Sequence, residues 1–375
     1  MTEQGTVAPN LVEASLRVIS AGQTASGAIL AGPTFSQYGY CWFRDGAFIA
    51  EALDKAGRRD WSVRFHGWVA KVLLAEAGSQ ERARAVARAG GVPGPDDYLH
   101  CRYDADGRPS HDETWPAFQL DGPGIWLWSL AHHLLHGGQL DGDLHAAVQI
   151  AARYLGDLWE TPCSDAWEEH EDRVHTSTLA AIRAGIEAAV SMVPELAGEA
   201  AIGRLRDEVG GRMAMTDGAY TKWDGNPEVD GSLLWMAAPY ESVSADEPQF
   251  AATLERIESD IVSDGGGVHR YRSDTYYGGG AWPVLASAYA RVLLRRDAPG
   301  DLDRAVAGLR WIEAQADDQG HLPEQVADHA LAPHRIDEWR ELWGESAQPL
   351  LWSHAAYLSL RAELAERVDL GPPPA

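Results

Sequence analysis

A chain of 375 residues with a hydrophobic fraction of 45% carries enough apolar material for a sizeable core. Its net charge of −25 repels phosphate backbones and anionic lipid surfaces, so neither nucleic acid nor a membrane is an expected partner. Three cysteines, Cys41, Cys101 and Cys163, lack CxxC spacing and indicate neither a disulfide framework nor a zinc site. The first ten residues contain no basic stretch followed by an apolar one, and no later run approaches the roughly 18 apolar residues of a membrane span, so the expected location is the cytoplasm.

Apolar residues recur at helical spacing along the chain with almost no two-residue alternation, which predicts an all-α fold. In chain order the predicted helices cover 9–22, 45–57, 60–77, 122–137, 143–158, 176–194, 197–210, 230–238, 247–262, 281–296, 301–316 and 351–367. Start signals stand at Asp45 for the second, Asp121-Gly122-Pro123 for the fourth, Thr176 or Ser177 for the sixth, Asp230 for the eighth and Ser353 for the last. No linker or low-complexity tract interrupts the series before the short Pro-rich tail at 371–375, so residues 1–375 are expected to form a single domain.

The unusual loops keep to every second connection. Tyr38 to Asp45 precedes the second helix, Trp115 to Gly124 the fourth, Trp167-Glu168-Glu169 the sixth, Lys222 to Asp230 the eighth, Arg270 to Trp282 the tenth, and Glu324-Gln325 with Trp352 the twelfth. Helices alternating between six outer and six inner positions bring those loops to one end. The expected architecture is therefore an (α/α)6 barrel with its pocket at the N-terminal ends of the inner helices, where free N–H groups and the helix dipole favour oxygen ligands.

Composition and motifs then suggest a ligand. The chain has 15 Trp and 12 Tyr but only 6 Phe, and aromatic faces with a polar edge suit sugar rings. Trp42, Trp115, Trp167, Trp282 and Trp352 fall in the pocket-facing loops, whereas Trp126, Trp128, Trp235 and Trp311 sit at helical spacing and read as packing. Two carboxylate motifs, Asp165-Ala166-Trp167-Glu168-Glu169 and Leu322-Pro323-Glu324-Gln325, provide what glycoside hydrolysis needs: one group to protonate a leaving oxygen and one to activate water. On the residues alone each glutamate could equally be a helix-entry or loop residue, and Glu168 is not distinguished from Glu169.

The motifs Trp42-Phe43-Arg44-Asp45, Gln119-Leu120-Asp121-Gly122-Pro123, Trp167-Glu168-Glu169, Arg270-Tyr271, Asp274-Thr275-Tyr276-Tyr277, Pro323-Glu324-Gln325 and Leu351-Trp352-Ser353 occur in an order that resembles the glucoamylase-type inverting glycosidases, glycoside hydrolase family 15. The resemblance spans about Tyr38 to His354. It implies Glu168 as general acid and Glu324 as general base, with room between them for the attacking water. It further implies Glu169 and Arg270 at the subsite beyond the scissile bond, Arg44 and Asp45 as a clamp on the terminal glucose, and Tyr38 near the water and the sugar ring. No catalytic cofactor or metal is expected, since His111, His170, His175 and His354 make no zinc spacing.

The implied substrate is a short α-glucoside, isomaltose first, on a monomer or homodimer. Glucoamylase, glucodextranase and trehalase activities are the alternatives within the family. A non-catalytic sugar-sensing barrel is the alternative of another class, against which the presence of both carboxylates speaks. The stretch between Glu324 and Trp352, with Trp339 and Trp343, is longer than the family leads one to expect; it predicts a wall across the subsites where a long chain would leave.

Overall fold

The structure, a computed structural model, describes residues 10–110, 112, 115–327 and 329–374. Residue 9, where the first predicted helix begins, lies outside them, as do His111 and the final residue of the tail, Ala375.

Thirteen α-helices are present among the described residues. Helix α1 (Leu11–Gly22) starts where the Asn10 side chain accepts from the Glu13 N–H at 3.0 Å. There follow α2 (Phe43–Lys55), α3 (Arg59–Ala75), α4 (Ala77–Arg88), α5 (Asp121–Leu135), α6 (Gly142–Leu158), α7 (Thr176–Met192), α8 (Ala200–Arg212), α9 (Pro248–Asp260), α10 (Pro283–Arg296), α11 (Asp301–Glu313), α12 (Ile336–Trp343) and α13 (Leu351–Ala365). The eighth predicted helix is instead a short 3-10 segment, Gly231–Met236, opened by Asp230 accepting from the Ser232 N–H at 2.8 Å. A side chain on Gly231 would strike Leu285, so the segment packs too closely on α10 for an ordinary helical face.

Inner and outer layers follow the predicted alternation. Helices α2, α5 and α7, the 3-10 segment 231–236, α10 and α13 pack each on the next, and α13 closes the ring on α2. Helices α1, α3, α6, α8, α9 and α11 precede them in turn as the outer layer. The chain is an (α/α)6 barrel. Contact between α5 and α7 is backbone on backbone: a Cβ on Gly185 would lie 2.4 Å from the Gly124 carbonyl oxygen, which explains glycine inside both helices despite its cost there.

Two helices were not predicted. Helix α4 buries only Ser79, Gln80 and Ala83, so it has no apolar stripe to read. Helix α12 buries none of its residues against the core and lies over the barrel mouth. Among the described residues, strands are confined to two small antiparallel pairs. In one, β1 (Cys41–Trp42) pairs with β2 (Arg102–Tyr103), setting Trp42 opposite Arg102; in the other, β3 (Met215–Thr216) pairs with β4 (Ala219–Tyr220).

Of the five start signals Asp230 alone caps its segment, and two of the others serve the pocket. Helix α2 begins ahead of Asp45, which lies in its first turn with its carboxylate turned to the pocket rather than capping. Helix α13 begins ahead of Ser353, whose hydroxyl donates to the Pro323 carbonyl at 2.7 Å and so ties the helix to the Glu324 loop.

Candidate active site

At the N-terminal end of the inner ring lies a cavity of about 320 Å³. All eleven expected site residues line it: Tyr38, Trp42, Arg44, Asp45, Trp115, Trp167, Glu168, Glu169, Arg270, Glu324 and Trp352. Five of the six special loops reach the cavity directly. The sixth, Lys222 to Asp230, supports it from behind, because Asp230 accepts from the Trp167 indole at 3.0 Å and pairs with Lys222 at 2.9 Å. Burial works to raise the Asp230 pKa, but Lys222 and the donors from Ser232 and Trp167 outweigh it and hold the carboxylate below its usual range.

The turn ahead of α7 separates Glu168 from Glu169. Asp165 Oδ1 accepts from the N–H groups of Trp167 at 2.9 Å and Glu169 at 3.0 Å, folding the loop back on itself. Glu168 takes a left-handed backbone conformation, φ 66°, which is costly for a residue with a Cβ and is held by that turn. The neighbouring side chains therefore diverge. Glu168 Oε1 accepts from the Trp42 indole at 2.5 Å and stands 3.5 Å from Arg44 Nη2. Glu169 accepts from the Tyr271 hydroxyl at 2.5 Å and from Arg270 at 3.3 Å. Among the described residues no hydrogen bond falls on Glu168 Oε2. Burial pushes the Glu168 pKa up to about 7, with Arg44 opposing and Asp45 assisting.

Glu324 comes from the loop before α13 and is almost fully buried. Its Oε1 accepts from the Tyr38 hydroxyl at 2.6 Å, and its Oε2 from the Ser346 hydroxyl at 3.1 Å. Tyr38 also meets the Tyr276 hydroxyl at 3.1 Å. Burial raises Glu324 to about 7 as well, against the two hydroxyl donors. Titration alone thus does not distinguish the two carboxyls; their partners do. Glu324 has both oxygens supplied with donors suited to an ionised group, whereas Glu168 keeps an oxygen open to the cavity.

The cavity floor is built around Arg44. Its guanidinium donates to Gln119 at 2.9 Å and Asp121 at 3.3 Å, and lies 3.3 Å from Asp45 and 5.6 Å from the Trp352 ring centroid. Burial disfavours its charge, but Asp121, Asp45 and Glu168 together hold it more firmly protonated than usual. Asp45 is pushed up to about 6 by burial, against Arg44. Arg44 Nε faces Asp45 Oδ2 as an ion pair, and among the described residues the buried indole nitrogens of Trp115 and Trp282 have no hydrogen-bond partner. Unpaired indole donors beside a buried ion pair, among aromatic faces, fit a polyhydroxylated ligand, since each unpaired buried donor carries a cost that a hydroxyl removes. Arg270 is fixed by Asp274 at 2.6 Å and lies over Trp167, Tyr276 and Trp282.

Sequence reasoning left some residues unassigned. Tyr276 and Trp282 stand in a loop read as pocket-facing, and their side chains do line the cavity, with Phe35 and Gln37. Ser346 gave no signal, lying 22 positions from its partner within the long stretch before Trp352. His354 is structural, bridging Ser15 at 2.9 Å and the Leu322 N–H at 3.1 Å. Among the described residues, one group of metal-ligating types stands close together, Asp54, His66 and His133. It lies near the other end of α2, nine residues on from Asp45, and Asp54 already hydrogen-bonds His133 at 2.9 Å.

Comparison with known proteins places this geometry. Residues 10–306 match the model of glycosyl hydrolases family 15. The chain belongs to that family. It is a glycoside hydrolase, and its substrate is a sugar. An isomaltose glucohydrolase of Kribbella flavida is 41% identical over 94% of this chain and 92% of its own length. An uncharacterized glycosyl hydrolase of Methanocaldococcus jannaschii is 28% identical over 88% of this chain and 52% of its own. Among solved structures, a wild-type glycosidase is 40% identical with a TM-score of 0.87, covering 95% of this chain and 96% of that one. A bacterial glucoamylase complexed with acarbose shares the family 15 fold at 19% identity, with a TM-score of 0.68, covering 95% of this chain and 55% of that one.

Proposed function

We propose that this family 15 member is an inverting exo-acting α-glucosidase that releases β-D-glucose from the non-reducing end of isomaltose. The observation that carries the reading is the pair Glu168 and Glu324, brought by loops 156 positions apart to one small cavity with different hydrogen-bond partners. Glu168, with Oε2 open to the cavity, donates its proton to the glycosidic oxygen as the C1–O bond breaks. Glu324 takes a proton from water as the water oxygen bonds to C1 from the opposite face, so the anomeric configuration inverts. Tyr38 and Ser346 keep Glu324 ionised and oriented. Arg44 and Asp45 grip the terminal glucose, Glu169 and Arg270 the leaving sugar, and the tryptophans Trp42, Trp115, Trp167 and Trp352 enclose both.

Isomaltose is favoured by the 41% identity to the Kribbella flavida isomaltose glucohydrolase over nearly the full length of both chains, and by a cavity near the lower end of the roughly 300–1,000 Å³ usual for ligand sites. Residues 1–375 act as one catalytic domain on this reading, which the packing of α1 against α13 supports. Three free, buried cysteines suit a reducing cytoplasm. The test is a panel of isomaltose, maltose, trehalose and dextran with the wild type and the variants Glu168→Gln and Glu324→Gln. Isomaltose should be cleaved fastest, and each variant should lose at least about 10²-fold in kcat. Near-normal activity in either variant would remove that residue from the mechanism, and faster cleavage of trehalose or maltose would move the substrate.

A further inference from the structure

Arg102 is an arginine with almost no access to solvent, set among aromatic rings directly behind the cavity wall. Its guanidinium carbon lies 4.0 Å from the centroid of Trp115, 4.8 Å from Tyr40 and 5.7 Å from Trp42. Two of its nitrogens are fixed, Nη1 donating to the Gln37 carbonyl at 3.2 Å and Nη2 to Asp112 at 3.1 Å. The pairing of β1 with β2 sets it opposite Trp42 across a two-residue ladder. Trp42 in turn donates the hydrogen bond that holds Glu168, and Trp115, whose indole N–H has no hydrogen-bond partner among the described residues, forms the neighbouring wall. A planar cation suits this place because its faces bind aromatic rings while its edge donates in the plane, which a lysine ammonium does not reproduce.

We propose that Arg102 is a positioning residue for the reaction: it clamps the Trp42 and Trp115 indoles, and through Trp42 it fixes the carboxyl of Glu168 at the scissile bond. This rests on the reading of Glu168 as the acid. A cation buried this near also acts on the charge of Glu168, alongside Arg44 and the Trp42 indole, which work the same way, and Asp45, which works against it; Cys101, its pKa raised by burial, stays a neutral thiol. Loss of the Arg102 charge therefore favours the protonated carboxyl.

The experiment compares Arg102→Met and Arg102→Lys with wild type across pH, using isomaltose, with Glu168→Gln as reference. Arg102→Met should lose at least about tenfold in kcat, and its alkaline limb of kcat/KM should move to higher pH. Arg102→Lys, which keeps charge but not the flat clamp, should restore the limb and not the rate. A kcat within twofold of wild type in Arg102→Lys overturns the proposal, and that variant alone decides should Arg102→Met not fold. A fall in kcat for Arg102→Met with an unmoved limb also overturns it, because lost packing would then suffice. If Glu168→Gln stays active, the reading of the acid fails; if it is inactive while the Arg102 variants behave as wild type, only the present inference fails.

Discussion

At the scale of single residues, the proposed mechanism depends on two buried carboxyls that must hold opposite protonation states. Both have pKa values raised to about 7. As acid, Glu168 must be protonated, so activity falls as pH rises through its pKa; as base, Glu324 must be ionised, so activity falls as pH drops through its own. The expected kcat/KM profile is a narrow bell centred near 7. The Ser346 hydroxyl lowers the Glu324 pKa, so Ser346→Ala should move the acid limb to higher pH while leaving kcat within about tenfold at the optimum. A pH-rate series on isomaltose checks this, and an acid limb unmoved in the variant would take Ser346 out of the account. The residue types of the site were legible in sequence as clusters of Trp, Arg, Asp and Glu before alternate helices. The choice between Glu168 and Glu169 was not. It depends on a left-handed backbone at Glu168 and on Asp165 capping two amides, and neither is encoded in spacing. Arg102 was unread for a similar reason, since an arginine beside a tyrosine says nothing of the three rings the fold stacks around it.

At the scale of elements, eleven predicted helices, all but the eighth, are present, and the departures have physical causes. Helix α4 has almost nothing to bury, and the 3-10 segment at 231–236 is compressed against Leu285. Helix α12 falls within the long stretch expected to wall the pocket, and its helical form went unpredicted; of its apolar residues Trp339 and Trp343 line the cavity, while Leu342 is exposed. Trp339 is anchored by its indole to the Thr275 carbonyl at 2.9 Å and stacks on Tyr277, which in turn donates to the Gly344 carbonyl at 2.9 Å. Trp343 lines the cavity yet remains 45% exposed, an aromatic face open to a ligand. Replacing Trp343 with Ala should raise KM for isomaltose by about fivefold to thirtyfold, the cost of about 1–2 kcal/mol of lost ring contact, and should change dextran cleavage far less. Equal effects on disaccharide and polymer would show that α12 does not select for length.

At the scale of the whole molecule, the ring and the pocket place opposing demands on the same residues. The inner helices close a tightly packed barrel whose floor carries a buried ion network, with Arg291 pairing Glu51 and Glu363 at 2.7 Å each. The mouth carries carboxyls held in poorly solvated positions for chemistry, and that costs stability. Glu324 has a folded pKa of about 7 against an ordinary 4.5, so its stabilising contribution is complete below 4.5 and is lost as pH rises through 7. Glu324→Gln avoids that loss and its amide oxygen still accepts a hydroxyl. The variant should therefore melt higher than wild type at pH 8, by the equivalent of about 1–3 kcal/mol, with the difference shrinking at pH 5. Thermal unfolding at the two pH values checks it, and a variant no more stable than wild type at pH 8 would contradict the proposed cost. The alternation of plain and decorated loops made this barrel readable from sequence, because only a closed ring explains why residues as distant as Tyr38 and Glu324 should meet. The most direct test of the central claim follows the first seconds of isomaltose hydrolysis by proton NMR. The geometry predicts that β-glucose appears first and mutarotates afterwards; initial release of α-glucose would contradict the assignment of Glu168 and Glu324 as an inverting pair.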